Sequence, residues 1–303
     1  MTELLAARLQ MAFTLGAHIV LACFGVGLPI LLLVAEGIAL RTGDSGWRTL
    51  AKRWSRAFAV LFAVGAVSGT VLSFEMGLLW PAFMARYGSV IGLPFTLEAF
   101  AFFLEAIFLG IYLYGWDRLS PRAHWWSGVP VAIAGFASAA FVVCANAWMN
   151  APSGFREDGG RVVDVDPIAA MANAAAFWQA AHLVVATWLV TGFCVAGAYA
   201  LEILRGRDGR HARRALTLGL AMGAVAAPLQ LVAGDGVARM VARTQPLKLA
   251  AMERLEETTA RAPLHVGGIV PVPGALSWLA YGDADAVVKG LDAFPPDAHP
   301  PVA

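Results

Sequence analysis

Six apolar segments, each about as long as a helix that crosses a bilayer, constrain the fold of this chain most strongly. They run over Leu9–Ala39, Phe58–Leu79, Phe95–Tyr114, Val129–Trp148, Ala170–Leu201 and Leu216–Ala233. A spanning helix needs about 20 apolar residues and bonds its own backbone polar groups, which hydrocarbon requires. The chain is 59% hydrophobic and only 14% charged, whereas soluble domains have about 25% charged residues. The sequence predicts an all-α, polytopic transmembrane bundle of about six spans.

The loops between these segments alternate in basic content. Segments 41–56, 117–124 and 205–214 hold five, two and five Lys or Arg residues, whereas segments 81–92 and 150–167 hold one and two. The positive-inside rule then predicts a cytoplasmic location for the first set and an N-terminus outside. The first apolar segment is too long for a signal-peptide core, so we keep it as a mature helix. No basic stripe interleaved with aromatic residues is present in the sequence, so we predict the lipid bilayer and no nucleic acid as a partner.

The third apolar segment carries two carboxylates, Glu98 and Glu105. Their spacing of seven places both on nearly one helix face, roughly 10 Å apart along the axis. An ionised carboxylate in hydrocarbon is costly unless it is paired, protonated or facing water. Two interpretations fit: the pair ties helices together through hydrogen bonds, or it belongs to a proton, ion or metal-cofactor site.

Two of the six histidines fall within apolar segments. His18 lies in the first and His182 in the fifth, both in the half of the membrane that contains Glu98. Each is either a hydrogen-bonded helix contact or an axial ligand of haem iron, for which neutral imidazole is a common ligand and the neighbouring small residues leave room. The other four are predicted to be solvated in loops or tail: His124, His211, His265 and His299.

Three further features of the sequence carry a weaker indication of function. Glu75 is either a cofactor neighbour or an interfacial charge, and Asn150 is predicted to be an ordinary interfacial residue. Cys23, Cys144 and Cys194 lie in apolar segments without C-x-x-C spacing, which favours small buried residues over a disulfide or cluster.

The chain divides by composition into a transmembrane bundle, residues 1–233, and a mixed, Pro-rich outer region, residues 234–303. Residues 246–259 are predicted to form a short amphipathic helix that carries Lys248. Glu253 is five residues further on, so the two charges are not ideal partners on one helix face. From the residues alone, both are predicted to be solvated.

Several segments together resemble subunit I of cytochrome bd-type quinol oxidases. They are RLQMAFTLGAHIVLACFGVGLP, SGTVLSFEMGLLWP, PFTLEAFAFFLEAIFLGIYLYGWDRLSPRAHW, NAWMNAPSGF, FWQAAHLVVATWLVTGF and QPLKLAAMERLEET, followed by the tail segment VPGALSWLAYGDADAVVKGLDAFPPD. The resemblance covers most of residues 8–260 in the family's order. It implies a helical bundle that oxidises membrane quinol and reduces dioxygen to water, building a proton gradient without pumping.

The resemblance also implies roles for individual residues. His18 matches an axial ligand in the oxygen-reducing haem pair. This pair consists of a high-spin haem b and either haem d or a second haem b that replaces haem d. His182 matches one ligand of the low-spin haem b. Glu98 matches the acid at the high-spin site, as ligand or close neighbour, and Glu105 the next acid on the proton route. Lys248 and Glu253 match a pair in the outer quinol-binding loop, the region 234–303.

The family comparison further implies a bacterial cytoplasmic membrane location, with subunit II and a small single-span subunit as partners. The family continues beyond the point where this sequence stops. Its further spans supply a methionine as second ligand of the low-spin haem, so we expect either a longer chain or a second polypeptide to complete the site, and weak activity without it. Two other functions remain open from the residues: a quinol-linked cytochrome b that relays electrons without oxygen reduction, and a proton-coupled transporter without cofactor.

Overall fold

The computed structural model describes residues 3–300 and contains six helices long and apolar enough to cross a membrane. They are α1 (Glu3–Thr42), α2 (Ser45–Leu79), α3 (Pro81–Gly115), α4 (Pro121–Asn150), α6 (Ala176–Leu204) and α7 (Arg210–Thr244). The short helices are α5 (Pro167–Met171), α8 (Pro246–Met252) and α9 (Ala275–Tyr281). The predicted all-α bundle of six spans is therefore confirmed. Residues 301–303, where a further span was expected to begin, lie outside the described part.

The helix ends differ from the predicted spans. The last long helix does not end at Ala233 but continues to Thr244, and Asp235 and Arg239 pair four residues apart at 2.8 Å on the surface of this extension. The fifth span begins at Ala176 rather than Ala170, since the Asn173 side chain accepts a hydrogen bond from the Ala175 backbone N–H and separates α5 from α6.

Three loops meet at one end of the bundle, which we call the basic end: residues 41–56, 117–124 and 205–214. Arg214 of α7 forms an ion pair with Asp44, which also caps α2 by accepting from the Gly46 N–H at 2.8 Å. The Lys52 ammonium lies 2.9 Å from Asp117. These contacts bring the three alternate segments of the bundle that are richer in Lys and Arg together, as the alternation of loop charge predicted.

The opposite end is covered by short hairpins that hydropathy did not predict. Strands β1 (Arg156–Asp158) and β2 (Arg161–Val163) pair antiparallel, as do β4 (Leu264–Val266) and β5 (Val270–Val272). Strand β3 (Thr259–Ala260) pairs with β6 (Val287–Val288). The Arg86 guanidinium binds Glu157 at 2.9 Å and so ties the start of α3 to the first hairpin.

The short helix predicted over residues 246–259 ends earlier, at Met252. Arg254 has a left-handed backbone with φ of 52°, and the next residue, Leu255, returns its N–H to the Ala250 carbonyl at 2.9 Å. This hydrogen bond closes a Schellman turn, which ends a helix. Leu249 and Leu255 are buried, whereas Met252 is exposed, so the predicted apolar face is only partly correct.

Helices α6 and α7 approach each other closely because glycines face each other at their crossing. A Cβ atom added at Gly192 would lie 2.7 Å from the Gly223 backbone nitrogen, and one added at Gly219 would lie 2.7 Å from the Ala196 nitrogen. Small residues allow this approach, which van der Waals packing and not the hydrophobic effect stabilises in a membrane.

We expect Gly192→Ala to destabilise the folded chain by about 1–3 kcal/mol, because the added methyl group must force α6 and α7 apart. Gly197→Ala on the same helix is the matched control, since a Cβ atom there has no neighbour within 4 Å. Thermal unfolding of both variants in detergent measures the difference. Equal unfolding temperatures for the two variants would show that the glycine contact does not set the helix spacing.

Candidate functional site: two histidine seams and a carboxylate stripe

A polar seam runs between α1 and α2. Gln10, Thr14 and His18 follow one another at intervals of four on α1 and therefore lie on one face. Glu75 of α2 accepts hydrogen bonds from the Gln10 amide at 3.1 Å and the Thr14 hydroxyl at 2.8 Å. Its second oxygen is buried without a partner among the described residues. Glu75 is thus a buried member of the seam.

The hydrogen bonds of His18 define its tautomer. Its Nδ1 lies 2.9 Å from the Ser68 hydroxyl, and that hydroxyl donates its own proton to the Gly65 carbonyl at 2.9 Å. The Ser68 oxygen therefore accepts from Nδ1–H, which leaves Nε2 of the neutral ring with a free lone pair. Gly69 faces this ring, since a Cβ atom there would lie 3.0 Å from the His18 Cε1 atom.

His182 lies between α6 and α7. The Gln230 amide nitrogen is 3.0 Å from its Nδ1 and 3.1 Å from its Nε2, so it donates to whichever ring nitrogen lacks a proton. The Gln230 oxygen is buried and has no partner within residues 3–300. If the Gln230 amide group were flipped by 180°, its oxygen would accept from one ring N–H of His182. The second ring nitrogen of His182 would then be free to bind a metal.

The two predicted carboxylates of α3 face α4. The Ser138 hydroxyl donates to Glu98 at 3.3 Å. Glu105 is only 4% exposed, and its Oε1 has no hydrogen-bond partner in the described chain. A Cβ atom at Gly135 of α4 would lie 3.0 Å from that oxygen, so a glycine leaves just enough room for the carboxyl group. Glu105 is therefore not a simple helix tie, since neither of its oxygens has a hydrogen-bond partner within residues 3–300.

These observations fit haem better than a metal held by side chains alone. No group of three or more His, Cys, Asp or Glu residues that could hold a metal ion occurs within residues 3–300. His18 has one ring nitrogen without a protein partner in the part of the chain that the structure describes, and the Gln230 amide would leave one free on His182 if it were flipped; a single imidazole nitrogen is what an axial haem ligand provides. Hydrogen bonds do not bring His18, His182 and Glu98 together in the described chain: they lie in the separate pairs α1–α2, α6–α7 and α3–α4.

At the opposite end, Asn150 organises the region of the predicted quinol loop. Its side-chain oxygen accepts from the Gln245 amide at 2.9 Å and from the Lys248 ammonium at 3.3 Å. Glu253 follows α8 as its C-terminal cap. Asn150 is therefore more than the ordinary interfacial residue that the sequence predicted, because it fixes the helix that carries Lys248.

One histidine prediction is wrong. His124 is not solvated in a loop but lies in the first turn of α4 with 2% of its surface exposed. Its Nδ1 is 2.6 Å from Glu36 of α1, and its Nε2 is 2.9 Å from the Tyr112 carbonyl of α3. The charged segment DRLSPR made this position look like a loop, whereas Ser120 caps a helix that already begins at Pro121.

Sequence reasoning missed several residues of these sites. Ser68 and Gln230 are uncharged, and serine and glutamine in an apolar segment have many structural uses. Glu36, by contrast, carried a usable signal, since it is a carboxylate within the first apolar segment and therefore expected to have a partner.

Comparisons with known proteins show which family this chain resembles. Residues 6–303 match the family model described as cytochrome bd terminal oxidase subunit I. The chain is 40% identical to the putative cytochrome bd menaquinol oxidase subunit I of Bacillus subtilis, covering 100% of this chain and 72% of the relative. It is 31% identical to the cytochrome bd-II ubiquinol oxidase subunit 1 of Escherichia coli, covering 97% of this chain and 60% of that relative.

A solved structure is similar as well. The bd oxidase from Geobacillus thermodenitrificans superposes with a TM-score of 0.92 at 39% identity, covering 99% of this chain and 72% of that one. The chain thus spans between 60% and 72% of the length of these relatives.

Proposed function

The chain belongs to the cytochrome bd terminal oxidase subunit I family, and on that premise we propose that it is the haem-bearing part of a bacterial membrane quinol oxidase. In the assembled complex, quinol is oxidised and dioxygen is reduced to water. The observation that carries the proposal is the hydrogen bonding of His18, which leaves the Nε2 lone pair of this half-buried ring free on the apolar helix α1.

His18 and His182 are the proposed axial ligands. His18 would hold a haem of the oxygen-reducing pair, a high-spin haem b with haem d or a second haem b, and His182 would hold the low-spin haem b. Bound haem would supply electron transfer and oxygen reduction. Ser68 and Gln230 orient the two rings, because a hydrogen bond to one ring nitrogen fixes which nitrogen faces the metal. Glu98 would lie at the high-spin site as ligand or close neighbour.

Glu105 is the proposed proton donor on the route to Glu98. Both project from one face of α3, and the free Oε1 of Glu105 is available to receive and pass a proton. Ionisable residues within a membrane segment often mark proton routes, which suits this position.

The membrane orientation follows from the same scheme. The basic end is cytoplasmic by the positive-inside rule, which places the N-terminus and the quinol loop outside. Protons for water formation would then come from the cytoplasm, and quinol protons would be released outside. This arrangement charges the membrane without a pump.

Lys248 and Glu253 are the proposed quinol-binding pair. Quinol oxidation needs an acceptor for the hydroxyl proton and a donor that orients the ring oxygen. The Glu253 carboxylate and the Lys248 ammonium provide these groups, and Asn150 holds Lys248 in place. Subunit II and a small single-span subunit would cover the apolar faces of the bundle, which include the exposed Val60, Val67 and Phe74 of α2.

Quinol-dependent oxygen consumption by the assembled complex tests the proposal. We expect Lys248→Met to raise the KM for quinol about tenfold, as the loss of one charge-assisted hydrogen bond of about 1.5 kcal/mol implies. Lys289→Met is the control, because Lys289 lies in the same outer region beyond β6. A wild-type complex that consumes no oxygen with quinol would refute the function, and an unchanged KM in Lys248→Met would refute the assignment of Lys248.

A further inference from the structure

A buried polar cluster at the basic end has no role in the proposed function so far. It consists of Glu36 of α1, Tyr112 of α3 and His124 of α4, with 4%, 2% and 2% of their surfaces exposed. The Tyr112 hydroxyl donates to Glu36 Oε2 at 2.8 Å, and His124 Nδ1 lies 2.6 Å from Glu36 Oε1. Three helices thus direct their polar groups at one carboxyl group.

The bonds of this cluster fix its proton count. His124 Nε2 must carry a hydrogen, because the Tyr112 carbonyl 2.9 Å away can only accept. The short contact between Nδ1 and Glu36 Oε1 therefore contains one proton, which sits either on the imidazole or on the carboxyl group. Both states have the same total charge, so the pair can exchange the proton internally without burying a new charge.

Tyr112 continues the carboxylate stripe of α3 toward the basic end. Glu98, Glu105 and Tyr112 follow at intervals of seven residues, so neighbours on this face are roughly 10 Å apart along the axis. Helix α4 matches the spacing with glycines: a Cβ atom at Gly128 would lie 2.9 Å from the Tyr112 ring, as one at Gly135 would lie 3.0 Å from Glu105.

A small cavity adjoins Tyr112 on the side of the membrane interior. Its volume is ≈ 10 Å³, and Tyr112 is the one polar residue of a lining that is otherwise apolar and includes Gly128 and Val131. The cavity lies between the cluster and the depth of Glu105, because Val131 falls between the α4 positions that face Tyr112 and Glu105.

The surface above the cluster is charged. The Trp116 ring covers His124 at a centroid distance of 4.0 Å, and the next residue, Asp117, has 76% of its side chain exposed. Arg48 and Lys52 of α2 face the same Trp116 ring and pair with Asp117. The hydrogen bond from Lys52 holds the pKa of Asp117 below its ordinary value, so this carboxylate remains ionised beside the cluster.

We propose that Glu36 and His124 form the cytoplasmic proton-loading site of the oxidase and that Tyr112 connects this site to Glu105. The proposal rests on the proposed function, which it extends by naming where protons enter the stripe. It assigns a use to the buried side chains of Glu36, Tyr112 and His124 and to the glycine spacing of α4.

The transfer conserves protons and charge. A proton leaves the Tyr112 oxygen toward Glu105 through water that enters the gap transiently during turnover, and the proton shared by Glu36 and His124 replaces it on that oxygen. A proton from the water at the basic end, beside Asp117, then refills the pair. One proton enters the cluster for each one that leaves, so the buried charge is the same after every cycle.

Isosteric variants separate this role from a purely structural tie between helices. Glu36→Gln keeps the shape and hydrogen-bonding capacity of the side chain but cannot exchange a proton, and Tyr112→Phe removes only the hydroxyl. Tyr199→Phe is the matched control: its hydroxyl accepts a hydrogen bond from the Trp54 indole at 3.0 Å near the same end and lies off the stripe.

The experiment measures quinol-dependent oxygen consumption by the assembled complex in H₂O and D₂O, with haem content read from the spectrum of each sample. We expect Glu36→Gln and Tyr112→Phe to retain haem, to slow turnover at least about tenfold and to show a larger solvent isotope effect than wild type. Tyr199→Phe should retain the wild-type rate and isotope effect.

Variants that contain haem and turn over at the wild-type rate with the wild-type isotope effect would overturn the proton-loading site. If Glu36→Gln fails to assemble, the isosteric Tyr112→Phe decides by the same criteria. A wild-type complex with no quinol-dependent oxygen consumption would refute the proposed function itself, and this inference with it, so the two failures are distinguishable.

Discussion

Replacing His182 by alanine should remove the b-type absorbance of the low-spin haem and reduce quinol oxidation by at least about 10³-fold. His182 is the proposed imidazole ligand of this haem, and Gln230 is the one side chain that hydrogen-bonds to it in the described structure. Loss of an axial ligand would weaken the ligand field that keeps a haem iron low-spin. A reduced-minus-oxidised spectrum of membranes with the assembled complex measures the loss.

His265→Ala is the control for that substitution, because His265 is an exposed residue of β4. It should leave both the spectrum and the turnover unchanged. A normal low-spin band in His182→Ala would mean that another residue holds this haem, and the interpretation of the α6–α7 seam would then be wrong.

Glu105→Gln should slow oxygen reduction about 100-fold, which is within the range that a positioned proton-transfer group contributes. Glutamine fits the space left by Gly135 and keeps a polar group there, but it cannot carry the proton onward. Reduction of the low-spin haem by quinol under anaerobic conditions should remain near the wild-type rate, because Glu105 lies on α3 and not in the seam of His182.

Glu202→Gln on α6 makes the same chemical change outside the stripe and should leave oxygen reduction unaffected. Stopped-flow reduction and oxygen consumption, measured on one preparation, separate the two half-reactions. If both half-reactions slow equally in Glu105→Gln, the residue supports the fold and does not pass protons.

The sequence predicted the number and type of the long helices because hydropathy in a membrane protein reflects the strongest constraint on its backbone. It placed their ends poorly. Helix α7 continues past Ala233 through residues 234–244, whose more polar composition ended the predicted span although Asp235 and Arg239 pair there at helical spacing. Near α8, the left-handed Arg254 ends the helix although no glycine or proline marks the position.

The candidate sites, like the helices, were predicted from the sequence only in part. His18, His182, Glu98 and Glu105 were identified because an ionisable residue in an apolar segment is rare. His124 was missed because its place between a charged turn and an apolar segment hides its burial. Its partner Glu36 is 88 positions away in sequence, and only the packing of α1 against α4 brings the two together.

The measurement that tests the account most directly is a carbon monoxide difference spectrum of the reduced, assembled complex, in wild type and in His18→Ala. Carbon monoxide binds reduced haem that has an open coordination position, as the oxygen-reducing site must have. The account predicts a carbon monoxide signal in wild type that is lost in His18→Ala, while the low-spin band that depends on His182 persists. A wild-type complex without a carbon monoxide signal, or a variant that retains the full signal, would contradict it.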